Sequence, residues 1–271
     1  MADLIPIYEA IAYEDVQLTG GTTRPLVFSV MGDNIFPYVV KIFSANDNRQ
    51  YYPISKECIA WMIANEFEIP QPKSAIVHFG DDILQSIPVH IRQRILDSGE
   101  YYHYGTVYHD GAKIADSNYL GKKLEGWELE RLFGFDMLIY NMDRTLRKPN
   151  LLTWNDEYMI IDHELSFPEM IKSITEEIKR NDFSSFYNNS RLRSHLLIPP
   201  LKKLRSRMHM PLKYEEFSYS LARLDLRILE KLKERLLSIG IRSDDFDRVI
   251  PYLSAQKDKI PAFVKSLNNL F

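Results

Sequence analysis

Apolar and polar positions change period along the chain. The stretches IPIYEAIAYEDVQL (5–18), RPLVFSVMG (24–32) and FPYVVKIF (36–43) are rich in β-branched and aromatic residues. Gly20-Gly21 and Gly32-Asp33-Asn34 separate them. Three such runs with tight connections predict an antiparallel meander. ISKECIAWMIANEF (54–67) follows, where Ile59, Met62, Ile63 and Phe67 fall at helical spacing. After the turn IPQPK, SAIVHF (74–79) reads as a strand and 82–98 as a short helix interrupted by Pro88. EYYHYGTVYHDG (100–111) is aromatic and extended. GWELERLFGFDMLIYNM (126–142) is helical, with Leu129, Leu132, Phe133 and Phe135 to Met137 on successive turns. The last hundred or so residues carry helical patterns broken at Pro168, Pro199-Pro200, Pro211 and Pro251.

Strands first and helices second predict an α+β protein with segregated halves. The expected arrangement is bilobal, with a strand-rich part at 1–105 and a helical part at 106–271 that carries the loops of interest. One continuous domain is the alternative. At 271 residues the chain is long enough for either. Hydrophobic residues make up 45% and charged residues 26%, which is ordinary globular composition. A net charge of −3 argues against a protein built throughout as a polyanion binder. The single cysteine, Cys58, falls within a helical pattern and reads as core. One thiol makes no internal disulfide, which suits a reducing compartment. The first residues, MADLIPIYEAIAYED, lack the basic start and apolar core of a signal peptide. No apolar run approaches the roughly 18–20 residues that span a bilayer. A soluble, cytoplasmic protein is expected.

The segment NMDRTLRKPNLLTWNDEYMIIDHELSF (141–167) places polar residues in one loop and a lone aspartate after two strand-like runs. If those runs form a hairpin, Asp162 returns beside Asn150. An amide oxygen and a carboxylate are hard ligands, suited to Mg²⁺ on nucleotide phosphates. Asp143 is then free to orient or deprotonate an acceptor hydroxyl, the division of labour of phosphoryl transfer. Arg144 would neutralise phosphate charge or hold Asp143 in place. In the first half, Lys41 interrupts an apolar strand, which is costly without a partner or a purpose. Glu57 on the next helix is a candidate partner. Gly20 and Gly21 make a turn whose N–H groups could approach phosphates. Glycine turn, strand lysine, helix glutamate, loop Asp/Asn and strand-end aspartate stand in the order of a kinase.

These motifs resemble the HipA-like kinases, a bacterial branch of the protein-kinase and phosphoinositide-kinase fold. They look closest to its short domains, with Asn-x-Asp-Arg, Pro-Asn-Leu-Leu and Ile-Asp-His motifs. Here those read Asn141-Met142-Asp143-Arg144, Pro149-Asn150-Leu151-Leu152 and Ile161-Asp162-His163. ECIAWMIANEFEIPQP also resembles the family's glutamate-bearing helix with its Pro-x-Pro turn. The resemblance covers roughly residues 10–167; beyond it the pattern is generic helix. It implies a bilobal kinase-like fold and ATP- and Mg-dependent phosphorylation of a protein Ser/Thr hydroxyl. By analogy Asp143 is the catalytic aspartate, Asn150 and Asp162 are Mg²⁺ ligands and Lys41 contacts the α/β-phosphates. The founding branch acts as a growth-arresting toxin, which implies a cognate antitoxin as a partner. Six residues separate Asp143 from Asn150, against four in the eukaryotic catalytic loop. The glycine turn lacks a full G-x-G-x-x-G, and Asp-His-Glu stands where many kinases have Asp-Phe-Gly.

Blander readings compete. Asn150 and Asp162 are also ordinary turn residues, Lys41 an edge-strand lysine, and Glu57 and Glu164 solvated charges. His163 reads as a local hydrogen-bonding residue. Phe183 to Tyr214 contains no acid but seven bases: Arg191, Arg193, Lys202, Lys203, Arg205, Arg207 and Lys213. That stretch is either a solvated face or a dock for an acidic substrate or partner such as a cognate antitoxin, RNA or a phosphorylated segment. The lack of aromatic residues from Arg191 to Lys213 argues against single-stranded nucleic acid. A catalytically silent, partner-binding pseudokinase is the rival function.

Overall fold

The computed structural model describes residues 4–18, 23–115, 128–155, 157–187 and 189–271. β1 (Ile7–Glu14), β2 (Leu26–Met31) and β3 (Ile35–Lys41) pair antiparallel in sequence order, the expected meander. Helices α1 (Ala45–Tyr51) and α2 (Pro53–Glu66) follow, then β4 (Ser74–His78). Residues 82–98 form two helices rather than one, α3 (Asp81–Ser86) and α4 (Val89–Ser98). Pro88 divides them, because the residue before a proline is driven out of the helical region, and Ile87 is extended. β5 (Tyr102–Val107) takes the free edge of β3 and pairs with β4, and β4 joins β1 in parallel. The five strands close in the order β1-β2-β3-β5-β4, so no edge remains.

Inward positions of this barrel hold Phe28, Val30, Val40, Ala75 and Val77, sealed by Phe79 and by Ile91 and Ile95 of α4. Gly105 is required here, since a Cβ would lie 2.9 Å from Val77 Cγ2. α1 escapes a periodicity reading because it buries nothing; Ser44 caps it by accepting a hydrogen bond from Asp47 N at 3.1 Å.

α5 (Leu129–Leu138) opens the helical region and stops before Asn141. A second sheet combines β6 (Lys113–Ile114), β7 (Leu151–Trp154) and β8 (Glu157–Ile160) in the order β6-β7-β8. Then come α6 (Ile171–Lys179), α7 (Ser184–Tyr187), a 3₁₀ turn (Ser190–Ser194) and α8 (Ile198–Met208). α9 (Glu215–Arg223), α10 (Arg227–Ser238), α11 (Asp245–Asp258) and α12 (Ile260–Asn268) complete the chain.

Pro199-Pro200 stands in the first turn of α8, where a missing N–H is harmless. Pro251, expected to break a helix, lies inside α11. An interior proline costs about 3 kcal/mol. Fully burying one large apolar side chain returns about 1.5–3 kcal/mol. α11 buries Phe246, Val249, Tyr252 and Leu253, so the packed face wins.

The larger core joins α2 to the helical region. Phe67, just beyond α2, lies with its ring 6.2 Å from Phe135 and 5.7 Å from Phe217. α2 is buried on most sides, from Ile54 through Ala64. It therefore carries Glu57 on an element wedged between the barrel and the helices. Among the described residues, no helix is long and apolar enough to cross a membrane.

Candidate active site

Lys41 ends β3, and its side chain is partnered rather than exposed on an edge, because β2 and β5 flank the strand. Its Nζ lies 2.5 Å from Glu57 Oε1, 2.6 Å from Asp162 Oδ1 and 3.3 Å from Glu164 Oε2. Three segments far apart in sequence thus meet at one ammonium. Burial works against the Lys41 charge, but the three carboxylates outweigh it and hold its pKa well above the usual lysine range. Glu57 is fully buried, not solvated. Burial would raise its pKa; Lys41 and His163 more than offset that and lower it. His163 donates its backbone N–H to Glu57 Oε2 at 3.1 Å, with Nδ1 3.6 Å away, so it acts locally as expected.

The β7–β8 hairpin forms in the register Leu151↔Ile160. It brings Asp162 back beside Asn150, where Ile161 N donates to Asn150 O at 3.0 Å and Asn150 Nδ2 to Asp162 O at 3.5 Å. Asn150 and Asp162 both adopt positive φ, 49° and 66°. Asn and Asp tolerate that left-handed region best among residues with a side chain. Tyr140 and Phe167, at 56° and 50°, flank the same segment. Such outliers cluster where a structure over-determines local backbone.

Asp143 is half-buried, and Lys148 holds its Oδ2 at 2.6 Å. The same ammonium lies 3.2 Å from Asp162 Oδ2. Burial disfavours the charged carboxyl of Asp162, but Lys41 and then Lys148 outweigh that and depress its pKa far below the carboxylate range. Glu164, expected to be solvated, instead faces Lys41. Burial, followed by the repulsion of Asp162 and Glu57, outweighs Lys41 and pushes it up to about 7.

Arg144 was expected to neutralise phosphate charge or to hold Asp143 in place. Its side chain is fully buried. Nε donates to Asp136 Oδ2 at 2.7 Å and Nη2 to Asp136 Oδ1 at 3.0 Å, while Nη1 donates to Asn150 O at 2.5 Å. Arg144 therefore ties α5 to the loop that carries Asn150. Asn141 reinforces this, donating to Asp136 Oδ1 at 3.3 Å and accepting from Asp143 N at 3.2 Å. His195 accepts from Leu197 N on Nδ1, which puts its ring proton on Nε2, 3.3 Å from Asp136 Oδ2. Burial would raise the Asp136 pKa, but Arg144 and His195 bring it down to about 2.

A cavity of about 410 Å³ opens over these groups, within the range of small-molecule sites. Lys41, Glu57, Lys148, Asn150 and Asp162 line its polar end, and Val39, Tyr104, Val107, Leu152 and Ile160 its apolar walls. Gly20 and Gly21 lie outside the described residues, although Leu18 and Thr23 on either side of them line the cavity.

Sequence reasoning missed Lys148, Asp136 and His195. Asp136 had a signal: an aspartate inside LFGFDMLIY needs a buried partner. Lys148 and His195 had none, since only the folded loop brings them to their carboxylates. The basic stretch divides. The 3₁₀ turn with Arg191 and Arg193 lies against the Asp143 loop, because Thr145 bridges to His195 and Leu196 N donates to Arg144 O at 2.9 Å. Arg205 on α8 instead donates to Asn268 O.

The fold is that of a kinase. It is similar to the crystal structure of a Helicobacter pylori proinflammatory kinase, CtkA, with a TM-score of 0.53 at 12% identity, covering 99% of this chain and 100% of that one. A family model described as HipA-like kinase matches residues 16–198, and the chain belongs to that family. The match runs past Phe167 into residues whose sequence reads only as generic helix. No curated protein matches the chain.

Proposed function

We infer that the protein is an ATP- and magnesium-dependent kinase that phosphorylates a protein Ser/Thr hydroxyl. Its strand-rich part, about 1–105, and its helical part, 106–271, act as two lobes around the cleft. The observation that supports this best is the ammonium of Lys41, which meets Glu57 of α2 and Asp162 of the post-hairpin loop at once. A phosphate-binding lysine must be oriented by one acid and stand beside another that holds the metal.

The residues present fit the metal. Asp162 offers a carboxylate, and the Asn150 amide nitrogen is turned to a backbone carbonyl, which leaves its oxygen as a hard ligand. Bound Mg²⁺ would supply neutralisation of phosphate charge. Lys41 would hold the α/β-phosphates, and Val39, Leu152 and Ile160 would enclose the base. Asp143 would accept the proton of the acceptor hydroxyl as its oxygen bonds to the γ-phosphorus. The bond from that phosphorus to the bridging oxygen breaks, and ADP leaves. Arg144 and Asp136 would act by holding the loop, as positioning residues.

Exposed arginines next to the Asp143 loop suggest the acceptor's character. Arg147, Arg191 and Arg193 are exposed, and none makes an ion pair among the described residues. They fit an acceptor with acidic residues near its hydroxyl. The double variant Arg191→Glu/Arg193→Glu is expected to raise KM for an acidic serine peptide by roughly threefold to tenfold, a sum of weak exposed pairs. Its ATP-dependent thermal shift should match the wild type. An unchanged KM, with no acidic preference across a serine-peptide library, would remove this acceptor reading.

A further inference from the structure

Asp162 carries an ammonium on each carboxylate oxygen. Lys41 takes Oδ1 at 2.6 Å, and Lys148 stands 3.2 Å from Oδ2. The two lysines are held differently. Lys41 is 15% exposed and also gripped by Glu57 and Glu164. Lys148 is 34% exposed, and its ammonium pairs with Asp143 and Asp162. The Lys148 backbone is fixed: its N–H donates to Thr145 Oγ1 at 3.1 Å, and its carbonyl accepts from Thr145 N at 2.9 Å. The ammonium stands between the oxygen assigned to the metal and the carboxylate assigned to the acceptor proton.

We propose that Lys148 is a tethered counter-cation that bridges Asp143 to Asp162 until a divalent cation displaces it, freeing the Asp143 carboxylate for the acceptor. The proposal rests on the function inferred above. Mg²⁺ sits at about 2.0–2.1 Å from a ligating oxygen. With an ammonium 3.2 Å from that same oxygen, a double and a single positive charge would face each other across a few ångströms. At that range their repulsion exceeds what the two partly exposed ion pairs of Lys148 contribute. Of the two lysines, Lys148 has fewer carboxylates to leave and more solvent to enter. Four carboxylates face Lys41 and Lys148 among the described residues of this site, Glu57, Asp143, Asp162 and Glu164, an excess of negative charge that attracts a divalent cation. The site would thus keep Asp143 neutralised while empty and release it only when loaded.

The test is a Mn²⁺ titration of the full chain, read by melting temperature and by the electron paramagnetic resonance of free Mn²⁺. Lys148→Met removes the resident cation and should bind Mn²⁺ about tenfold more tightly, a screened charge repulsion relieved. Lys148→Arg keeps the charge and should stay near wild type. Asp162→Asn should lose the binding. An unchanged or weaker Mn²⁺ affinity in a folded Lys148→Met protein overturns the proposal while leaving the metal site standing. Mn²⁺ binding that is absent, or indifferent to Asp162→Asn, overturns both the proposal and the metal reading beneath it. Lys148→Gln serves the same comparison should the methionine variant not fold.

Discussion

Asp136→Asn is expected to lower the stability of the chain by about 3–5 kcal/mol, as removal of one partner of a buried ion pair does. Asp136 and Arg144 are both fully buried and joined by two hydrogen bonds. The variant leaves the Arg144 guanidinium with carbonyl oxygens but no counter-charge. For a chain of this length that corresponds to a fall in melting temperature of roughly 10 °C. Denaturant unfolding of the variant measures it, and a loss under about 1 kcal/mol would show that the pair does not hold the loop. Asp136→Asn combined with Arg144→Met should recover part of the loss, since an apolar pair avoids the buried charge.

The same pair predicts a pH dependence. The folded pKa of Asp136, about 2, lies below its usual 3.8. A depressed carboxylate contributes stability that is complete above the unfolded value and lost as pH falls through the folded one. The contribution is on the order of 2 kcal/mol and should disappear between about pH 4 and pH 2. Asp136→Asn should flatten the stability curve across that window.

Asp143→Asn is expected to slow phosphoryl transfer by about two to four orders of magnitude, the usual range for a positioned base. Asp143 is half-buried, and its side-chain partner is Lys148, so the fold should survive the change. Nucleotide binding, read as an ATP- and Mg-dependent thermal shift, should be retained. Steady-state kinetics with an acceptor that the wild type phosphorylates check it. A rate equal to wild type would remove Asp143 from the chemistry.

Much of the fold was legible because its strands alternate and its helices repeat. β2 and β3 show their inward residues plainly, and the β7–β8 hairpin follows from two short apolar runs around a turn. β6 is only two residues long, and α1 buries nothing, so neither leaves a period to read. Closure of the barrel was hidden as well, since the parallel β1–β4 pairing joins strands about sixty residues apart, beyond any local pattern.

Within the candidate site, Asn150 and Asp162 looked like turn residues and also like ligands. Both readings describe the same backbone, because each sits at positive φ where a turn and a ligand loop coincide. Arg144 was also legible in two ways. Adjacency to Asp143 suggested either phosphate or a hold on Asp143, and its guanidinium turns inward to an aspartate one element earlier. Pro251 misled because propensity is a weak prior against a well-packed face.

The most direct measurement is the melting temperature with and without ATP, each with and without Mg²⁺, for the wild type and Asp162→Asn. Ligand at about 100 times its dissociation constant adds roughly 2.7 kcal/mol. For this chain length that is a shift on the order of 5–10 °C. A Mg²⁺-dependent shift in the wild type, lost in Asp162→Asn, is the expected result. An absent shift at saturating ATP and Mg²⁺, or one of equal size in Asp162→Asn, would contradict a nucleotide–metal site at Lys41 and Asp162.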